Sequence, residues 1–477
     1  MAAKQNVVMI VSDTFRRDHL GAYGNTWIHT PNLDRLAAES VVFDEHMTSS
    51  FPTMPARADF LTAMHSYTHM GWEPLPGHLE TLPAHMSEAG YLTMGVVDTP
   101  FFVRDRWGYD RGFDDFIWVR GQGDEVRPAE RVDVRMRWVH ETERLAPRTM
   151  LEAESWLERH YRERFFLYVD TWDPHEPWDA PDYYTALYRP DYNGTQIYPP
   201  YGKWQEAGLS EDDVALAHDT YCGEITMVDR WIGHLLSKLD VLGIADNTIV
   251  IFTSDHGFYF GEHGYIGKAE WTHTPGAKVS SGAEVPMWFA RSWLLTLGWS
   301  PLYRELINVP LFVRVPGYTA GRQSALTTAP DIPATILDLV GIEPMASAHG
   351  LSFGSVLKGH SRDHRPLVVS SWPLYFAEGE ITSAVDSRPR RIAQYMPITV
   401  TTRDFSLIIG GPTEAPELYD RERDPGQSTN VWTDRVVEGT ALFEQALEFL
   451  RDCGADERHL IPRRKSLSAF GKVAGMT

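Results

Sequence analysis

Four short, largely apolar runs punctuate the chain, at Val7–Val11, Phe165–Val169, Thr248–Phe252 and Pro310–Val315, and each gives way to polar turn residues. Apolar runs of this length predict strands covered on both faces, as in parallel α/β sheets. Helical periods lie between them. After Ser210, a candidate N-cap with Glu211, Asp212 and Asp213 in the first turn, Tyr221, Ile225, Val228, Ile232, Leu235, Leu236 and Leu239 recur at three- and four-residue spacings. Gly243 closes this helix. A second helix is predicted over Asp331–Val340, with Pro333 near its first turn and Gly341 just past its end. Strand–helix alternation of this kind predicts an α/β fold: a large, mostly parallel sheet flanked by helices.

Two stretches break the pattern. Residues 120–150 are rich in charge, and 277–303 hold Trp288, Trp293 and Trp299 without periodicity. Both read as insertions, suited to lining a pocket or to an oligomer contact. Beyond about residue 375, Arg391–Thr401 and Asp404–Ile409 predict antiparallel strands and Val437–Leu450 a helix. The expected division is a large domain over 1–380 and a smaller C-terminal α+β subdomain with an antiparallel sheet over 381–477.

Composition narrows the function classes. The 477 residues are 43% hydrophobic and 23% charged, globular values that exclude a mostly disordered chain. Lys plus Arg number 44 against 65 Asp plus Glu, a net charge of −21 that argues against nucleic-acid binding through a basic surface. No stretch reaches the roughly 18 apolar residues of a membrane helix, so no membrane partner is expected. The two cysteines, Cys222 and Cys453, make neither a disulfide framework nor a zinc cluster by their spacing. A cytoplasmic protein is the expectation. Cys222 falls on the buried stripe of its helix and reads as inert packing.

In an open parallel sheet, ligands bind at the carboxyl ends of strands. Asp13 follows the first run, and Asp255-His256-Gly257 follows Thr248–Phe252. Two carboxylates and an imidazole on neighbouring strand ends make a divalent-metal site. A lone aspartate after a strand equally serves as a helix cap or turn former, and Ser-Asp-His-Gly as a turn, so spacing alone leaves both readings open. His19, His29, His65, His69 and His85 read as structural or loop-facing histidines.

Longer stretches carry a resemblance. Asn6–Asp13, His29-Thr30-Pro31-Asn32-Leu33-Asp34-Arg35-Leu36-Ala37, Pro52-Thr53-Met54-Pro55-Ala56-Arg57, Asp173-Pro174-His175-Glu176-Pro177-Trp178 and Thr253–Gly257 follow in order. Gly261-Glu262-His263-Gly264 with Lys268, Val309–Phe312, His349–Phe353 and Leu418-Tyr419-Asp420 continue the series. Together they resemble the sulfatase family of the alkaline phosphatase superfamily, over residues 6 to about 430. The resemblance implies an alkaline phosphatase-like fold and hydrolysis of a small anionic ester. It implies that Asp13, Asp255 and His256 ligate one divalent metal ion together with the oxygen of Thr53. Thr53 matches the nucleophile, Arg57 the residue that positions it, His175 the leaving-group acid, and Lys268 a cation for the anionic oxygens.

Departures from the family pattern sharpen this. Sulfatases usually carry Cys or Ser at the position of Thr53, matured to formylglycine; threonine cannot become that aldehyde, so no formylglycine is expected. A threonine ester has no carbon–oxygen bond to break in releasing sulfate, which favours a phosphorus ester. Asp13-Thr14 and Asp255-His256 replace an all-oxygen calcium set and suit Mn or Zn better, with Ca as the alternative. The pattern is similar to the phosphonate monoester hydrolase and phosphodiesterase branch. Gly95-Val96-Val97-Asp98-Thr99 lacks a sulfate-binding lysine; Asp98 either meets a substrate group or caps a helix, and His263 is expected at the pocket rim. Asp170 and His175 are five apart, a poor match to a second metal. The expected activity is therefore cleavage of a phosphodiester or phosphonate monoester through a phosphothreonine. The alternatives are sulfate ester hydrolysis, phosphoryl transfer, and a catalytically silent binding protein.

Overall fold

The computed structural model describes all residues except 1–4, 100, 104–105, 120–125, 128–131, 134–137, 200, 269, 272–276, 280–296, 299, 375–396, 411–414 and 472–477. Parts of both predicted insertions, including the three tryptophans of 277–303, lie outside the described residues.

The central sheet contains β1 (Asn6–Ser12), β2 (Val41–Phe43), β3 (Leu92–Val97), β4 (Asp115–Trp118), β5 (Phe165–Thr171), β6 (Thr248–Ser254), β7 (Leu311–Arg314) and β8 (Gly321–Gln323). Their spatial order is β8-β2-β7-β6-β1-β5-β3-β4. Pairing is parallel throughout except around β7, which runs antiparallel to both β6 and β2. The sheet is thus mostly parallel, as the apolar runs predict, and Pro310–Val315 supplies its one reversed strand.

Every residue of β1 is buried. Val8 and Ile10 enter one hydrophobic cluster with Trp156, Tyr221, Ile225 and Leu235; Val7, Met9 and Val11 enter the cluster on the other face with Met54, Leu61, Ile332 and Ile336. Covering both faces requires apolar residues at both parities, which is why the run has no alternation. The first face is covered by α2 (Leu145–His160) and α3 (Glu211–Val241), the second by α1 (Thr53–Thr62) and α4 (Asp331–Val340). The Ser210 hydroxyl caps α3 at Asp213 N, and Asp213 returns a bond from Ser210 N. Gly341 ends α4 in the left-handed region, at φ +69°.

A second sheet has the order β9 (Leu367–Ser371), β10 (Ile398–Thr402), β11 (Phe405–Ile409) and β12 (Glu417–Asp420), antiparallel at every pairing. Its first strand precedes residue 381. The helices α5 (Val436–Asp452) and α6 (Glu457–Phe470) pack Phe443, Ala446, Leu450 and Leu460 into the same cluster as Val369, Val400 and Leu407.

Candidate active site

Register places the carboxylates. Ser12 pairs with Ser254 and with Thr171, so Asp13 and Asp255 leave adjacent strands side by side. Asp13 N donates to Thr171 O at 2.9 Å, and Asp98 N to Asp170 O at 3.1 Å, extending the row to β5 and β3. Behind Asp255, Gly257 N donates to Leu306 O at 2.8 Å. A Cβ on Gly257 would overlap the Glu305 carbonyl oxygen, so only glycine follows His256 here.

Opposite these ends stands α1, whose first residue, Thr53, has φ +37° and is buried. The approach is set by Asp59: its Oδ2 accepts Ser50 N at 2.8 Å, and its Oδ1 accepts the Ser50 hydroxyl and Ser66 N, both at 2.8 Å. One turn on, Arg57 lies fully buried among three carboxylates. Its Nη1 donates to Asp13 Oδ2 at 2.8 Å and to Asp255, while Nε and Nη2 grip Asp170 at 3.1 and 2.9 Å. Asp170 also accepts from the Thr99 hydroxyl at 2.6 Å and the Tyr168 hydroxyl at 2.7 Å. These bonds occupy Asp170 as the guanidinium's counter-ion.

The electrostatics differ across the pair. Burial disfavours the Asp13 carboxylate, but Arg57 and Lys268 outweigh it and hold the group well below the ordinary carboxylate range. Burial, outweighing Arg57, pushes Asp255 up to about 8, with Asp13 adding to the rise. Burial and then Lys268 hold His256 well below the ordinary histidine value. Its Nδ1 faces Gly257 O at 3.0 Å and so carries the proton. The Nε2 lone pair then points at Asp255 Oδ2, 3.3 Å away, and at Thr53 Oγ1, 3.4 Å away. A lone pair held against a carboxyl oxygen is satisfied by a proton, which the raised Asp255 supplies, or by a divalent ion in that proton's place. Asp13, Asp255 and His256 bring one ligand atom each within 4.8 Å of one another, a donor set that fits a divalent ion.

Of the other expected site residues, Lys268 sits beside this cluster, with Nζ 3.5 Å from Thr14 Oγ1 and 3.9 Å from Asp13 Oδ1. His175 is buried, with Nδ1 2.7 Å from Glu176 O and its ring 4.2 Å from that of Trp172. Burial and then Lys268 depress it well below the ordinary value. Asp98 is buried with its oxygens taken by the Thr149 hydroxyl at 2.6 Å, the Thr171 hydroxyl at 3.1 Å and Trp172 N. Its link to the site is Trp172, whose ring packs at a tilt against that of His175. His263 stacks on Tyr303 at 3.7 Å and faces Glu305 at 3.2 Å.

Asp59, Asp170 and Trp172 belong to the site's support, a role that no motif in the sequence declares. Asp170 carries a faint signal, a charged residue ending an apolar strand; Asp59 carries none, since its bonds to Ser50 and Ser66 follow no helical or strand spacing, and Trp172 none, since it bonds Asp98 through its backbone N–H.

Comparison with known proteins agrees with this architecture. The family model described as Sulfatase matches residues 5–342. An arylsulfatase of Clostridium perfringens (strain 13 / Type A) is 25% identical, over 94% of this chain and 93% of that protein. Iduronate 2-sulfatase of Mus musculus is 28% identical over 66% of this chain and 60% of that protein. The multifunctional alkaline phosphatase superfamily protein PehA of Trinickia caryophylli is 28% identical over 56% of this chain and 65% of that protein. This chain therefore spans less than two-thirds of the last two. Among solved structures, the phosphonate monoester hydrolase of Agrobacterium radiobacter superimposes with a TM-score of 0.70 at 20% identity, over 94% of this chain and 95% of that one. With the family matched across most of the chain and the strand-end cluster in place, the protein belongs to the sulfatase family of hydrolases in the alkaline phosphatase superfamily.

Proposed function

We propose that the protein hydrolyses a phosphodiester or phosphonate monoester, with Thr53 as nucleophile and a covalent phosphothreonine as intermediate. The observation that carries this reading is the placement of Thr53 Oγ1 3.4 Å from His256 Nε2, at the head of a helix and beside the Asp13–Asp255 pair. A helix start favours negative charge at that point. A threonine ester must be resolved by water attacking phosphorus or sulfur, since its own carbon–oxygen bond offers no exit. A divalent ion held by Asp13, Asp255, His256 and Thr53 would neutralise charge on the transferring group and on the attacking oxygen; the imidazole favours Mn or Zn over Ca.

The chain's own residues do the rest. Arg57 keeps Asp13, Asp170 and Asp255 in place while neutralising their charge. Lys268 adds a cation for a non-bridging oxygen of the substrate. His175, with Nδ1 directed at the Glu176 carbonyl, offers Nε2 for the proton that the leaving oxygen takes. Burial and Lys268 favour its neutral form until an anionic ester enters and reverses that balance. Both cysteines are free, which fits a reducing, cytoplasmic setting.

The test is a panel of chromogenic phosphodiesters, phosphonate monoesters, phosphate monoesters and sulfates, each with Mn, Zn or Ca, followed by acid quench and peptide mass spectrometry. The expected result is the highest kcat/KM on a phosphodiester or phosphonate, with a phosphoryl or phosphonyl adduct on Thr53. A preference for sulfate esters, or an adduct on another residue, overturns the reading.

A further inference from the structure

A second convergence of metal-type ligands lies across the sheet end, on the outer side of the loop that follows Asp13. It contains His19, from the short 3-10 turn Arg17–His19, and His218 with Cys222 from α3. His218 and Cys222 are four residues apart on one helix face. The Nε2 atoms of His19 and His218 face each other at 2.8 Å, and Cys222 Sγ is 3.8 Å from His218 Nε2. His19 and Cys222 are buried, at 4% and 0% exposure. His19 Nδ1 lies 2.9 Å from Asp18 Oδ1, so its proton sits there and the Nε2 lone pair points into the cluster. A carboxylate behind a ligating imidazole orients it and raises its basicity. Asp18 is held in turn by Arg16. Trp27, Tyr221 and Phe260 pack against the two imidazoles.

From this arrangement we infer that His19, His218 and Cys222 form a zinc site separate from the Asp13 cluster. Two imidazoles and a thiolate are borderline-to-soft donors, which select Zn over Mn, Mg or Ca. On binding, Cys222 Sγ loses its proton to solvent and both imidazoles ligate in their neutral forms. Three protein ligands leave a fourth for solvent, and His218, partly exposed, gives the cluster a solvent-facing member. The site's role is structural. It ties the 16–19 segment to the 31-residue α3, beside the Tyr221 hydroxyl, which accepts from Arg16 N and donates to Thr14 O, both at 2.8 Å. The same loop carries Asp13 and Thr14.

Cobalt distinguishes this site from the Asp13 cluster, which contains no sulfur. Purified full-length protein, stripped of metal, is titrated with Co²⁺ and then Zn²⁺. The expected result is a thiolate-to-cobalt charge-transfer band that saturates at one equivalent and is abolished by Zn²⁺. Asp255→Asn and Cys453→Ser keep the band; Cys222→Ser abolishes it. Asp18→Asn weakens Zn²⁺ affinity by about 10- to 100-fold. His218→Ala, a change at a half-buried position, also removes the band with the thiol intact and guards against misfolding of the Cys222 variant. Absence of the band in the wild-type protein, or its survival in Cys222→Ser or His218→Ala, overturns the proposal.

Discussion

Arg57 grips Asp170 with two parallel bonds, Nε to Oδ2 at 3.1 Å and Nη2 to Oδ1 at 2.9 Å, with neither residue exposed to solvent. That fork fixes the plane of the guanidinium, and the plane fixes where Nη1 reaches. It reaches Asp13 and Asp255, the two carboxylates at the strand ends. One arginine therefore aligns both acidic members of the candidate metal site.

Removing that arginine leaves three buried carboxylates without their main counter-charge. Arg57→Ala is expected to destabilise the fold by about 3–5 kcal/mol, read from the denaturant midpoint. Arg57→Lys restores one charge without the fork, so it should recover stability only in part and bind Mn or Zn more weakly than wild type. Full metal affinity in Arg57→Lys would show that the fork with Asp170 does not set the ligand geometry.

Thr53→Ala should fold normally, because the side chain it removes is small and its backbone turn is kept by Asp59. Turnover should fall by well over tenfold, a barrier increase of more than about 1.4 kcal/mol. The check is kcat on the best ester of the panel together with a circular dichroism spectrum. Retention of more than a tenth of the activity would assign the attack to water.

His175→Ala tests a proton rather than a contact. Esters of alkyl alcohols, which leave poorly, should slow by roughly 10² to 10⁴, and nitrophenyl esters much less. The measurement is the dependence of kcat/KM on leaving-group pKa, with metal content determined in parallel. The slope should steepen in the variant. An unchanged slope would leave His175 only an electrostatic part.

Acid sensitivity follows from His46, buried in a short strand that pairs with Thr327–Thr328. Burial pushes its imidazole down from 6.5 to about 3. A group depressed on folding binds fewer protons folded than unfolded within that window. Its contribution is therefore complete above about pH 6.5 and is lost as the pH falls towards 3. The full effect is on the order of 3–5 kcal/mol. His46→Asn should flatten the loss of stability between pH 6.5 and 4, measured by urea denaturation at fixed salt; an equally steep profile would place the acid sensitivity in other groups.

What the chain declares by itself is local and periodic. β1, β5 and β6 are visible because burial on both faces demands apolar residues at successive positions. The start of α3 at Ser210 and the end of α4 at Gly341 are visible because capping chemistry acts over three or four residues. Asp13, Asp255 and His256 were legible as candidates because strand ends are where such sheets bind ligands. Only the tertiary structure decided which distant groups meet. The reversal of β7 depends on its pairing with β6 and β2. Leu367–Ser371 joins the second sheet through pairing with Ile398–Thr402. His263 is bound to Tyr303 and Glu305. Asp170 faces Arg57 from 113 positions away, and His19 meets His218 across 199. No periodicity or cap encodes such distances. They are set when strand register and helix packing bring separate segments to one end of the sheet, and buried charge then settles which partners remain together.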